Sequence, residues 1–154
     1  MNEQKTACFS GHRYLNERQI EKATVGLKKF INLAIKDGYT FFRSGMAEGV
    51  DLIAADIIIQ NRKLNENLLL EAAIPHVGRM KSGNKNFKSI LEKCNGIKVM
   101  QKSYSWSCFM ERNTYMVDNS DLLIAVWDGR KQGGTYKTIV YAKASGKEIK
   151  IIKI

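Results

Sequence analysis

Short apolar runs alternate with longer amphipathic stretches through the whole chain, and that alternation constrains the fold more than any single motif. Residues 6–9 read as a strand. Residues 16–37 then carry Ile20, Ala23, Leu27, Phe30, Ile31, Leu33 and Ala34 at helical spacing, with Gly38 placed to end the helix. A second strand at 39–43 is followed by a helix over 49–62, and a third strand at 68–74 is closed by Pro75, the chain's only proline. A short helix at 86–94, a strand at 97–100 and a helix N-capped by Ser105 and running to 118 come next. Leu122–Trp127 is almost wholly apolar, as a strand buried on both faces requires. A helix over 135–145, ended by Gly146, and a strand at 148–154 complete the pattern. Strands separated by helices predict a three-layer α/β sandwich around a mainly parallel sheet of five or six strands, wound by right-handed crossovers.

With 154 residues, 44% of them hydrophobic, the chain suits one domain over 1–154 with a substantial core. No apolar run has the length of a membrane span, and the first residues lack a signal-peptide pattern. Cys8, Cys94 and Cys108 are odd in number and far apart, which argues against a zinc site or a disulfide framework and favours the reducing cytoplasm. The net charge of +10 permits attraction to polyanions, but the lysines and arginines are spread along the polar sides of the expected helices.

A wound parallel sheet binds ligands beyond the carboxyl ends of its strands. Four glycine-bearing or polar segments fall there. Ser10, Gly11, His12 and Arg13 follow the first strand; small residues admit a ligand to the backbone, and the two heads offer charge or hydrogen bonds. A plain surface turn accounts for them equally well. The run Arg43-Ser44-Gly45-Met46-Ala47-Glu48-Gly49-Val50-Asp51 joins a strand to a helix, where unpaired N–H groups face an anion. Asp51 can accept from a ribose hydroxyl or simply from a backbone amide. The stretch 75–79 follows the third strand, and 127–135 the apolar one. In the latter, Gly133, Gly134 and Thr135 open a helix as a phosphate nest or a flexible turn. Arg112 and Asn113 offer a phosphate and a sugar contact, or form salt bridges on their own helix. Trp127 stacks on a base or packs as a core aromatic, and Asp128 begins the loop after it. The chain lacks HExxH, GxSxG, GxGxxG and a Walker A lysine.

In order, SGHR, SGMAEGVDLIAA, IP, RNTYMVDNSDLLIAVWDG, GGT and YAK resemble the YpsA-like branch of the SLOG superfamily of Rossmann-like proteins, over about residues 6 to 152. The element from Ser44 to Asp51 is similar to one in the DNA-processing protein A, which loads recombinase on single-stranded DNA. The GGT helix start resembles the phosphate loop of the lonely-guy phosphoribohydrolases. The resemblance implies a nucleotide or nucleotide-sugar pocket, with ADP-ribose-like compounds as leading ligands and no resident cofactor. It places Ser10, Gly11, Arg13, Ser44, Gly45, Ala47, Gly49, Asp51 and Gly133 to Thr135 around the ligand, flanked by Arg112 and Asn113. The phosphoribohydrolases carry a glutamate where this chain has Thr138, so glycosidic cleavage is not implied. Many YpsA-like proteins have an aromatic residue and a glutamine after IP, where His76 and Arg79 stand here.

The resulting expectation is a protein that senses or sequesters a phosphorylated nucleoside, as a monomer or homo-oligomer. Single-stranded nucleic-acid binding and nucleotide N-glycoside hydrolysis are the alternatives. Glu48, Asp51 and Asp128 are the carboxylates within reach of a strand-end pocket.

Overall fold

The computed structural model describes residues 4–154. Six strands form one parallel sheet: β1 (Lys5–Ser10), β2 (Tyr39–Ser44), β3 (Leu69–His76), β4 (Gly96–Gln101), β5 (Leu122–Trp127) and β6 (Glu148–Lys153). Their spatial order is β4-β3-β2-β1-β5-β6. Five α-helices connect them: α1 (Glu17–Lys36), α2 (Val50–Arg62), α3 (Lys85–Glu92), α4 (Cys108–Asp118) and α5 (Gly133–Ala144), with a 3₁₀ turn at Val77–Lys81. The chain winds outward from β1 to β4, returns through α4 to β5, and ends at β6. The direction of winding therefore reverses between β1 and β5, and the loops after these two strands part there.

Period-two alternation sorts the central strands between two cores. Ala7, Phe9, Leu122, Ile124 and Val126 face the larger core, filled by Leu27 and Ile31 of α1 and by Ala55 and Ile58 of α2. Cys8, Leu123 and Ala125 face the opposite core with Met116 and Val117 of α4 and Ile139 and Ala142 of α5. On α1 the buried residues Ala23, Leu27, Ile31 and Ala34 form one stripe. A reciprocal capping box of Asn16 and Gln19 starts this helix, with Gln19 N donating to Asn16 Oδ1 at 2.8 Å.

Three boundaries depart from the sequence expectation. Pro75 does not close β3, which continues to His76. The β2 register ends at Ser44 opposite Ala72, so the end of β3 is an edge on that side and needs no N–H from Pro75. Ser105 is not the N-cap of α4, which starts at Cys108; the Ser105 hydroxyl donates instead to Gln101 Oε1 at 2.6 Å. Helix α5 begins at Gly133, two residues early, and the N-cap Gln132 makes no side-chain cap bond. The first-turn N–H groups of α5 are thereby left without a side-chain acceptor. Among the described residues no helix is long and apolar enough to cross a membrane.

Candidate functional site

The loops after β1 and β2 are locked together before any ligand is considered. Gly49 has φ +83°, and a Cβ there would sit 2.4 Å from His12 O and 2.6 Å from Arg13 O. A Cβ on Gly11 would meet the Val50 side chain at 2.4 Å, and Val50 N donates to His12 O at 3.3 Å. These two glycines serve loop-to-loop approach, and Gly49 lies outside the cavity lining. Ser44 is fully buried; its hydroxyl donates to Asp51 O at 2.9 Å and accepts from Met46 N at 3.2 Å. Met46, at φ +59°, is also fully buried, so Ser44 and Met46 brace the loop from beneath. Arg43, which opens the motif, turns beneath α4 to pair with Glu71 at 3.1 Å.

Above this frame lies a cavity of about 490 Å³ at the reversal point, within the size range of small-molecule sites. Ser10, Gly11, His12 and Arg13 line it from the end of β1 and its loop, Ala47 from the β2 loop and Asp51 from the first turn of α2. Arg112 and Asn113 line it from α4, and Gly134 and Thr135 from the start of α5. Four segments far apart in sequence thus converge on one space. His12 ties the two loops at the reversal point, its Nε2 accepting from Asp128 N at 3.1 Å.

The floor holds two ionisable side chains. Asp51 is 5% exposed; Oδ2 accepts from Ala47 N at 3.3 Å, while Oδ1 is the sole buried side-chain oxygen or nitrogen without a partner among the described residues. Burial pushes the Asp51 carboxyl above the usual range, against the pull of Arg112. Arg112 is likewise 5% exposed; Nη1 donates to Gly45 O at 2.5 Å and Nε to Asn113 Oδ1 at 2.8 Å. Gly45 does not line the cavity but lets these groups meet, since its Cβ would lie 2.7 Å from Asp51 Oδ2 and 2.8 Å from Arg112 Cζ.

The remaining sequence candidates fall beside the cavity. Trp127 stacks on Tyr136 with centroids 5.9 Å apart, and its Nε1 donates to Arg130 O at 2.9 Å. Asp128 accepts from Arg130 N at 3.0 Å and from Arg130 Nε at 2.7 Å, bonds that hold its carboxyl below the usual range. Gly133, at φ +89°, makes the turn into α5. Thr138 is 1% exposed and donates to Gly134 O at 2.8 Å.

Tyr14, Phe109 and Arg130 also line the cavity, and no motif marks them in the sequence. Phe109 lies three and four residues before Arg112 and Asn113, so helical spacing placed it on their face. A smaller lobe of about 180 Å³ adjoins, lined by Glu48, Pro75 and Arg79 together with residues of the main cavity. No cluster of histidine, cysteine or carboxylate side chains able to hold a metal occurs among the described residues.

The structure of DNA processing protein A from Helicobacter pylori, described for its single-stranded DNA binding mode, is similar at TM-score 0.67 and 19% identity, covering 96% of this chain. This chain spans 64% of that one. The molybdenum cofactor binding protein of Rippkaea orientalis matches at TM-score 0.63 and 16% identity, covering 97% of this chain and 76% of the other. The molybdenum cofactor carrier protein of Chlamydomonas reinhardtii matches at 0.60 and 13%, with the same coverages. At these identities the likeness is one of fold. No curated protein matches the sequence significantly. The YpsA family model, described as the YspA SLOG family, matches residues 14–154, from the loop before α1 through the rest of the chain. The chain belongs to the YspA SLOG family.

Proposed function

We propose that this chain binds a phosphorylated nucleoside, of the ADP-ribose or related NAD-derived class, and holds it without turnover. The observation that carries this reading is Asp51 Oδ1, buried and unpartnered in a side chain that lines the cavity. A buried acceptor without a donor is costly, and a ligand hydroxyl supplies the donor. A ribose hydroxyl on Asp51 leaves the phosphate to the uncapped start of α5, where backbone N–H groups and the helix dipole favour an anion. Thr135 and Arg13 add side-chain contacts, and Asn113 stands beside the sugar.

Glycosidic cleavage needs a carboxylate placed to stabilise an oxocarbenium-like transition state and position water. Thr138 is buried against its own helix, Asp128 is engaged by Arg130, and Glu48 is exposed at the smaller lobe. Asp51, on the cavity floor, is assigned to ligand binding. This distribution favours a sensor or sequestering protein over a hydrolase. Calorimetric titration with ADP-ribose, cyclic ADP-ribose, NAD and AMP tests the reading: saturable binding of at least one is expected, and flat traces for all four overturn it.

A second reading rests on Tyr104 and Trp106, exposed to 64% and 89%. Trp106 borders a groove of about 790 Å³ that runs along α4 past Gly134 and Lys137. Exposed aromatics beside a lysine suit stacking of single-stranded bases. Retention on a single-stranded DNA column at about physiological salt, with a steep loss as salt rises, would favour this reading.

A further inference from the structure

We propose that the smaller lobe, formed by Arg13, Arg79 and Arg112, binds a second anionic group, so that the preferred ligand carries two phosphoryl groups. This rests on the nucleotide reading above and adds to it a subsite for the second phosphoryl group. The lobe, at about 180 Å³, is below the volume that holds a whole small molecule, about 300 Å³ or more, and suits one group of a larger ligand. It is continuous with the main cavity, because Arg13, Ala47, Phe109 and Arg112 line both.

The three guanidinium groups are positioned by contacts that do not neutralise them. Arg13 lies over the Phe109 ring at 4.7 Å, and Arg79 over the Phe87 ring at 4.6 Å. Arg79 Nη2 donates to Met46 O at 3.0 Å, and Arg112 donates to Gly45 O and Asn113. Among the described residues none of the three forms an ion pair, whereas Arg43 and Arg130 both do. Two carboxylates face them, the buried Asp51 and the exposed Glu48 at the lobe. Burial holds Arg79 and Arg112 below the usual arginine range, and the charge of Arg13 adds to the effect on both. An anion between them relieves that repulsion, and planar guanidinium forks match phosphoryl oxygens in pairs.

The test is calorimetric titration of AMP, ADP and adenosine 3′,5′-bisphosphate on the wild type and on R13Q and R79K. Arg13 is exposed and makes no hydrogen bond within the protein, so R13Q should fold; its circular dichroism spectrum checks this. At least one doubly phosphorylated probe should bind tenfold or more tightly than AMP. R13Q should reduce that ratio to threefold or less, while R79K, which keeps the charge, should retain more of it. Equal affinities for all three probes, or a ratio untouched in R13Q, overturn the second anion site and leave the nucleotide reading standing. Failure of every probe, together with ADP-ribose, cyclic ADP-ribose and NAD, overturns both.

Discussion

Asp51 on α2 and Arg112 on α4 meet across the missing side chain of Gly45, whose Cβ would lie 2.7 Å from the carboxylate and 2.8 Å from the guanidinium carbon. Gly45→Ala should therefore act by wedging apart these two groups rather than by backbone strain. Overpacking of this kind costs about 1–3 kcal/mol. Urea denaturation should show that loss, and calorimetry a parallel loss of nucleotide affinity.

Asp51 and Arg112 form no direct ion pair, yet the guanidinium opposes the effect of burial on the carboxyl, so the two should be coupled. Arg112→Met removes the guanidinium that opposes the burial of Asp51, together with the bonds to Gly45 O and Asn113, and should destabilise the fold. The double variant Arg112→Met with Asp51→Asn should recover part of that loss. A double-mutant cycle by chemical denaturation measures the coupling, and additive effects would contradict it.

The raised Asp51 pKa fixes the sign of a pH effect. The native carboxyl retains a proton that the unfolded chain releases above its ordinary value of 3.8. Stability from this group is thus present at low pH and lost as pH rises through the native pKa. Without ligand, Asp51→Asn should gain stability relative to the wild type as pH rises from about 4 upward. A difference that stays flat with pH would contradict the assignment.

Gly49 and Gly134 should respond oppositely to alanine. At Gly49 the new methyl would strike the carbonyl oxygens of His12 and Arg13 at φ +83°, and a left-handed conformation alone costs an L-residue about 1–2 kcal/mol. At Gly134 nothing lies within 4 Å, so alanine in α5 should add up to about 1 kcal/mol of stability. Thermal melts should separate the two, and on the proposed nucleotide reading Gly134→Ala should also lower affinity by crowding the start of α5.

Cys8 is 1% exposed and burial pushes its thiol up to about 12, so it should resist alkylation at neutral pH until the chain unfolds. Mass spectrometry after iodoacetamide treatment, with and without denaturant, checks this.

Much of the architecture was legible in the sequence. Helical spacing from Ile20 to Ala34 and the apolar run at Leu122–Trp127 encode which face of each element is buried, because periodicity records contact with a core. Alternation of the two periods then implied a parallel sheet and a strand-end site. Glycine positions marked the loops that form it. The boundaries at Pro75 and Ser105 were misread because each depends on a distant partner, the end of β2 and the side chain of Gln101.

Tertiary structure alone decided the strand order and the roles within the motifs. A period names a face but not its neighbour, so nothing local placed the winding reversal between β1 and β5. Ser44, Gly45 and Ala47 are neighbours at the end of β2, yet of the three only Ala47 lines the cavity, since the other two are committed beneath it. Arg79 joins Arg13 and Arg112 although the three lie on separate segments. Whether a polar atom is satisfied is likewise a property of the assembled fold. Composition and spacing put Asp51 in the segment that follows β2, but only the packing of α2 and α4 around it left Oδ1 without a donor.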